Sequence, residues 1–225
     1  MSVNPGLMSV CVLLPTLNEA QSVEEMIERV RKTNPAYSIY VVDSGSTDGT
    51  AEIARRAGAK VIELEERGKG LAIRKAFSEI AEDSAVLLDS DMSYAPEEIP
   101  ALLEKLGGCD VVVGSRFRGK IEKGAMKGTN RFGNKALTFI ANLLYGKPVS
   151  DVCSGFWAFR KSAYKKMVID AKHFSLEANF YAQCAKRKFT LGEVPISYGA
   201  RRGETKLNVL HGVGIGLYLL EKRFF

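Results

Sequence analysis

Five short apolar runs alternate with helical patterns through the first half of the chain, and this alternation constrains the fold more than any other feature. The runs are "SVCVLLP" (9–15), "SIYVVD" (38–43), "KVIEL" (60–64), "SAVLLD" (84–89) and "DVVVGS" (110–115). Helical patterns stand between them at 22–32, 50–58, 69–81 and 96–108. Ser22 and Glu25 have capping-box spacing, and Gly58 predicts a helix stop. Continuous Val/Ile/Leu runs, unlike alternating ones, suit strands buried on both faces. The pattern predicts an α/β fold with a mainly parallel sheet sandwiched by helices. A chain of 225 residues has room for one such domain with a real core.

Ligands of such sheets sit beyond the carboxyl ends of the strands. The polar signals cluster there: "PTLNE" (15–19), "DSGSTDGT" (43–50), "DSDMS" (89–93) and "GSRFRG" (114–119). Asp48 alone reads as a helix cap. Asp89 and Asp91 suit Mg²⁺ or Mn²⁺, which a protein commonly holds by one or two carboxylates plus substrate phosphates. A plain strand-end turn is the competing reading, since Asp favours turns. The first loop lacks G-x-G-x-x-G, and "ERGKGLA" (66–72) lacks the spacing and Ser/Thr of a P-loop. Neither dinucleotide-dependent hydride transfer nor a P-loop ATPase is supported.

Charge divides the chain. The first 110 residues carry 11 Lys/Arg against 19 Asp/Glu, and the remaining 115 carry 21 against 7. The second half is therefore expected to face something anionic: a phosphorylated ligand, a membrane surface or nucleic acid. Residues 116–135 hold seven basic side chains (Arg116, Arg118, Lys120, Lys123, Lys127, Arg131, Lys135) and one acid, Glu122. Predicted helices follow at 129–146, 175–188 and 206–225, with strand-like stretches at 154–161 and 189–198. The apolar run Val209–Leu220 is too short to span a bilayer. A basic segment beside the apolar 136–145 stretch reads as a surface-lying anchor. The alternative is that Phe139, Ile140, Leu143 and Leu144 complete the core. Cys11, Cys109, Cys153 and Cys184 have no metal or disulfide spacing and read as reduced thiols; His173 and His211 make no metal motif. No signal peptide is expected from Met1–Met8.

Taken in order, "VLLPTLNEAQSVEEMI", "VVDSGSTDGT", "GKGLA", "LLDSDMS" and "VVVGSRF" resemble the family 2 glycosyltransferases of the GT-A (Rossmann-like) fold. "FGNKALTFIANLLYG", "SDVCSGFWAFRK", "FSLEANFYA" and "RRGETKLN" extend the resemblance to the dolichyl-phosphate (polyprenyl-phosphate) hexose synthase branch, over roughly residues 8–210. It implies one domain, with a nucleotide-binding half (8–115) and an acceptor- and membrane-facing half (116–225) ending in amphipathic helices. Pro15, Thr16 and Glu19 would line the nucleotide pocket, Asp43 would contact the base, and Gly68 and Lys69 would lie near base or ribose. Asp89 and Asp91 would form the Asp-x-Asp pair, with Asp91 on Mg²⁺ or Mn²⁺. Where many relatives carry Gln two residues later, this chain has Ser93. Arg116, Arg131, and Arg201 or Arg202 with Lys206 would meet the donor diphosphate and the acceptor phosphate. Glu177 stands where hydroxyl-using relatives place a base, and reads here as an orienting group.

The implied activity is inverting transfer of one hexose or N-acetylhexosamine from a nucleotide diphosphate sugar, UDP-glucose or UDP-N-acetylglucosamine, to polyprenyl phosphate at the cytoplasmic membrane face. Alternatives are a GDP-mannose-dependent synthase, a transferase to a sugar hydroxyl, and a nucleotidyltransferase. A binding module for lipid or nucleic acid would not need Asp43, Asp89 and Asp91 together at strand ends. No nucleic-acid partner is expected, and a homo-oligomer or a separate membrane subunit is left open.

Overall fold

The computed structural model describes residues 8–171, 174–203 and 209–224. Strands β1 (Val10–Thr16), β2 (Ser38–Asp43), β3 (Lys60–Glu63), β4 (Ser84–Leu87), β5 (Val111–Ser115), β6 (Trp157–Arg160) and β7 (Leu191–Pro195) form one sheet. Its order is β3-β2-β1-β4-β6-β5-β7. Only β6 runs antiparallel to its neighbours. The chain moves outward from β1 to β3, then returns to β4 on the other side of β1. Ligand crevices form at such a switch point.

Helices α1 (Val23–Thr33), α2 (Thr50–Arg56), α3 (Lys69–Glu79), α4 (Ile99–Leu106), α5 (Gly128–Tyr145), α6 (Lys161–Tyr164), α7 (Leu176–Lys186) and α8 (Val209–Phe224) cover the sheet. Alternate strand positions feed two cores. Leu13, Leu87, Val113 and Phe159 pack with Ile73 and Phe77 of α3 and Phe180 of α7. Val12, Leu14, Val86 and Val112 pack with Met26 and Ile27 of α1 and Leu102 of α4. Each apolar run thus serves both faces, which is why it shows no alternation.

Three local expectations change. The Ser22–Glu25 capping box does not form: the Ser22 hydroxyl donates to the Glu19 carbonyl at 3.3 Å, and Glu25 pairs with Arg202 instead. The predicted 96–108 helix splits into a 3₁₀ turn at Pro96–Glu98 and α4. Pro100, without an N–H, fits only in the first turn of α4. The predicted strand 84–89 ends at Leu87, so Asp89 lies in the loop.

The 136–145 stretch divides between its two readings. Leu137 and Ala141 join the core, whereas Phe139 is 69% and Leu143 74% exposed. Packed against α5, α8 buries Ile215 and Leu219 and turns Val213, Leu217, Leu220 and Phe224 outward. The Tyr145 hydroxyl ties the two helices by donating to the Leu219 carbonyl at 2.8 Å. Among the described residues, no helix is long and apolar enough to cross a membrane. All four cysteines are free thiols, Cys11 and Cys184 buried. Lys206 and His173 lie outside the described residues.

Candidate active site

The β1–β2 register sets Thr16 beside Asp43, and the Thr16 hydroxyl donates to Asp43 Oδ1 at 2.9 Å. Asp43 is buried. Its other oxygen accepts the Ser46 N–H at 2.9 Å, and the Ser46 hydroxyl also reaches Oδ1 at 2.5 Å. Asp48 accepts the Thr50 N–H at 3.1 Å and the Ala20 N–H at 3.0 Å. It therefore satisfies the first N–H of α2, one residue before the N-cap Gly49, and sews the first loop to the second. Glu19 donates its backbone N–H to Thr50 at 2.9 Å. Pro15 accepts the Ser90 hydroxyl at 3.0 Å through its carbonyl, which joins the first loop to the one after β4.

Asp89 and Asp91 are held differently. Lys69, the first residue of α3 after Gly68, reaches both Asp89 and Glu177 with its ammonium at 2.6 Å. Burial alone would lower the Lys69 pKa, but the two carboxylates outweigh it and hold the ammonium charged. Glu177 lies in the first turn of α7, so this one cation ties three elements. Beneath Asp89, a Cβ added at Gly155 would stand 2.4 Å from Oδ2; only glycine leaves that carboxylate its place.

Asp91 is 3% exposed. Its Oδ1 accepts the Ser93 N–H at 3.0 Å and the Ser93 hydroxyl as well. Met92 adopts a left-handed φ of 68° to allow this turn, a strained choice of the kind that collects at functional sites. Oδ2 is paired with Arg201. Burial, then the neighbouring Asp89 charge, pushes the Asp91 pKa up despite Arg201 and Ser93.

The segment 198–202 runs along this loop as a strap. Gly199 donates its N–H to the Ser93 carbonyl at 2.9 Å, and Arg202 donates its N–H to the Asp91 carbonyl at 2.7 Å. The two adjacent arginines part ways. Arg201 turns in to the buried Asp91, and Arg202 turns out to Glu25 on the surface. Arg201 Nε is buried and has no hydrogen-bond partner.

Arg116 follows β5 and is buried. Its Nε and Nη2 grip Asp151 at 2.7 and 2.8 Å, and Asp151 also takes the Arg116 N–H at 3.1 Å. The guanidinium lies 5.2 Å from the Tyr198 ring centre. Cys153, two residues beyond Asp151, has its thiol pKa pushed to about 12 by burial and by that carboxylate. Arg131 lies exposed in the first turn of α5. Lys135, one turn on, stands 5.6 Å from the ring centre of Phe117, next to Arg116.

The structure thus gathers Lys69, Asp89, Glu177, Asp91 and Arg201, with Thr16 and Asp43 on the adjoining strand ends. Asp151 and Gly155 escaped the sequence reading, although both lie inside "SDVCSGFWAF". An acid in the acid-poor half, next to an apolar strand, was the available signal.

Asp89 and Asp91 are hard oxygen donors that have already drawn in two cations. Among the described residues, no group of three His, Cys, Asp or Glu side chains is placed to hold a metal ion. Two carboxylates therefore fit Mg²⁺ or Mn²⁺ only if a ligand supplies the remaining oxygens, as phosphates do.

Solved structures share this architecture. Glucosyl-3-phosphoglycerate synthase from Mycobacterium tuberculosis, crystallised with Mn²⁺, UDP-glucose and phosphoglyceric acid, superimposes with a TM-score of 0.75. It is 20% identical, and the match covers 96% of this chain and 78% of that one. Closer in sequence is glycosyltransferase AglJ of Haloferax volcanii, 34% identical over 96% of this chain and 72% of its own length. A dolichyl-phosphate hexose transferase of the same organism is 35% identical over 89% of this chain and 87% of its own. Residues 11–168 match the family described as Glycosyl transferase family 2, and the chain belongs to that family.

Proposed function

We propose that this glycosyltransferase moves one hexose or N-acetylhexosamine from a nucleotide diphosphate sugar to the phosphate of dolichyl or another polyprenyl phosphate. The observation that carries the reading is a paired arrangement: carboxylates at the switch point balanced by Lys69 and Arg201, beside two helices that expose apolar side chains. The relative named as a dolichyl-phosphate hexose transferase supports the same acceptor.

Pro15, Thr16, Glu19 and Asp43 shape the nucleotide side; Asp43, stitched into its loop, fixes the wall on which the base rests. Gly68 and Lys69 set the start of α3 against the donor. Asp91, with Asp89, would hold Mg²⁺ or Mn²⁺, which would supply positive charge to offset the negative charge developing on the diphosphate. Arg201 and Arg131 meet phosphate oxygens, with Lys206 and Arg202 adding positive field. Arg116 would have to leave Asp151 to do the same, so it acts by positioning the turn after β5.

A lipid phosphate needs no general base, because its second pKa is about 6. It attacks the anomeric carbon directly and inverts it. Glu177 agrees with this acceptor: pinned by Lys69 at 2.6 Å, it orients the donor side instead of removing a proton.

The acceptor arrives from a membrane. Phe132, Phe139 and Leu143 of α5 and Val213, Leu217, Leu220 and Phe224 of α8 are exposed apolar side chains on two helices packed together. Lys127 at the N-cap of α5, Arg131 and Lys135 within it, and Lys222 and Arg223 in the last turn of α8 add positive charge to the same two helices. Apolar side chains accompanied by cations suit an anionic lipid surface, and we assign the cytoplasmic face. The preferred donors are UDP-glucose and UDP-N-acetylglucosamine.

A thermal-shift panel of UDP- and GDP-sugars with Mg²⁺ or Mn²⁺, followed by transfer of labelled sugar to dolichyl phosphate, tests this. A saturating donor at a hundred times its Kd adds about 2.7 kcal/mol of stability, a rise of several degrees in Tm. Stabilisation by a UDP-sugar, with label moving into the lipid fraction, is expected. Stabilisation by GDP-mannose alone would change the donor, and no response to any nucleotide would end the reading.

A further inference from the structure

Both oxygens of Asp91 are already engaged. Oδ1 takes Ser93, and Oδ2 takes Arg201. A metal ion arriving at this buried carboxylate meets a cation in its place. The strap that carries Arg201 is fastened by backbone bonds from Gly199 to Ser93 and from Arg202 to Asp91. The guanidinium can therefore swing away while the strap stays on the loop.

Arg201 is also unfinished where it stands. Its Nε is buried without a partner, and a buried donor left unsatisfied has lost its water for nothing in return. Once Nη2 leaves Asp91, Nε and Nη2 lie side by side on one edge of the planar fork. That edge matches two oxygens of a phosphate, which it meets bidentately. Its neighbour Arg202 has no such poise, being spread on the surface against Glu25.

We propose that Arg201 is a resident counter-ion for Asp91 that exchanges with the divalent cation, and that the displaced guanidinium then grips a phosphate. The proposal rests on the metal–diphosphate reading of the site. It makes metal loading and phosphate capture two sides of one event. A dication attracts Asp91 twice as strongly as a guanidinium at equal distance and dielectric, so the exchange runs forward when the ion comes with its diphosphate. Without the ion, Arg201 shields Asp91 from Asp89 and the phosphate grip is withheld.

Mn²⁺ binding to the full chain, followed by electron paramagnetic resonance with and without UDP, tests the exchange. Arg201→Met is expected to tighten the Kd for Mn²⁺ alone about tenfold, and Asp91→Asn to abolish binding. Arg55→Met, which removes a positive charge from the exposed pair that Arg55 of α2 makes with Glu63 of β3, controls for net charge. Arg201→Lys keeps a cation but loses the fork. It should bind Mn²⁺ within about twofold of wild type, yet bind inorganic phosphate at least fivefold more weakly in the Mn²⁺–UDP complex. This lysine variant also guards against a methionine variant that fails to fold. If wild type binds Mn²⁺ with UDP but Arg201→Met gains no more than Arg55→Met, the exchange is wrong and the metal site stands. If no form binds Mn²⁺ even with UDP, both fall.

Discussion

Two sets of acids sit at strand ends in this protein, and they are satisfied by different means. Asp43 and Asp48, after β2, spend their oxygens on N–H and O–H donors of their own loop and of the adjoining end of β1 and its loop, Thr16 and Ala20. Asp89 and Asp91, after β4, are balanced by Lys69 and Arg201, long side chains from other parts of the fold. Neutral donors fixed to the backbone cannot leave, so the first set is scaffold. Cations on flexible stems can be exchanged for another cation, so the second set is where chemistry enters. The difference predicts opposite signatures: the first set should govern stability, and the second activity.

The largest effect should come from the second set. Asp91→Asn keeps the size of the side chain and an oxygen for Ser93, but removes the charge that a metal needs. Transfer is expected to fall by about 10³-fold or more, roughly 4 kcal/mol of transition-state stabilisation. The Tm should move by no more than about 2 °C. A variant that lost stability and kept activity would merge the two sets and break the distinction.

Arg116 sharpens the comparison, because its pair with Asp151 is ionic yet completely buried, Asp151 being 0% exposed. If burial decides, the pair belongs with the scaffold. Arg116→Met would strand the Asp151 carboxylate, and breaking a buried pair in this way costs about 3–5 kcal/mol. Urea unfolding should report that loss. Asp151→Asn in the same background should recover part of it, since the stranded charge is gone. A neutral effect of Arg116→Met on stability with a large loss of activity would instead return Arg116 to the phosphate ligands.

This division was only half legible in the sequence. The sheet was, because β1, β2, β4 and β5 are continuous apolar runs whose alternate residues feed two cores. The site loops were as well, since every polar cluster follows a strand. What the residues could not reveal is which charge faces which. Arg201 and Arg202 are neighbours of one type, and only the strap's path along Asp91–Ser93 sends one inward and the other to Glu25. Lys69 reads as a donor contact by motif, and its reach to Glu177 crosses 108 positions, a distance no local pattern encodes. The capping box at Ser22 failed for the same reason: Glu25 found Arg202 across the fold.

The smallest effect tests the first set on its own terms. Asp48 is exposed, so its value lies in bonding the first N–H of α2 and joining the loop to Ala20, not in charge pairing. Burial nudges its carboxyl up, but bonds from the Thr50 hydroxyl, the Ala20 N–H and the Thr50 N–H together hold its pKa below the usual value. Asp48→Ala should cost about 1 kcal/mol, the usual net worth of a hydrogen bond. That is about 2–4 °C in Tm for a domain of this size. The sign of the pH dependence follows from the lowered pKa. The folded state holds the ionised form more tightly, so the charged-state part of the stabilisation is complete above the ordinary carboxyl value of 3.8. It fades as pH falls through the lower folded pKa. The gap in Tm between wild type and Asp48→Ala should therefore be flat from neutral pH down to about 5 and narrow below 4. Transfer activity should stay within about twofold throughout the flat range. A gap that widened on acidification would mean that Asp48 is held by something other than the Thr50 and Ala20 donors.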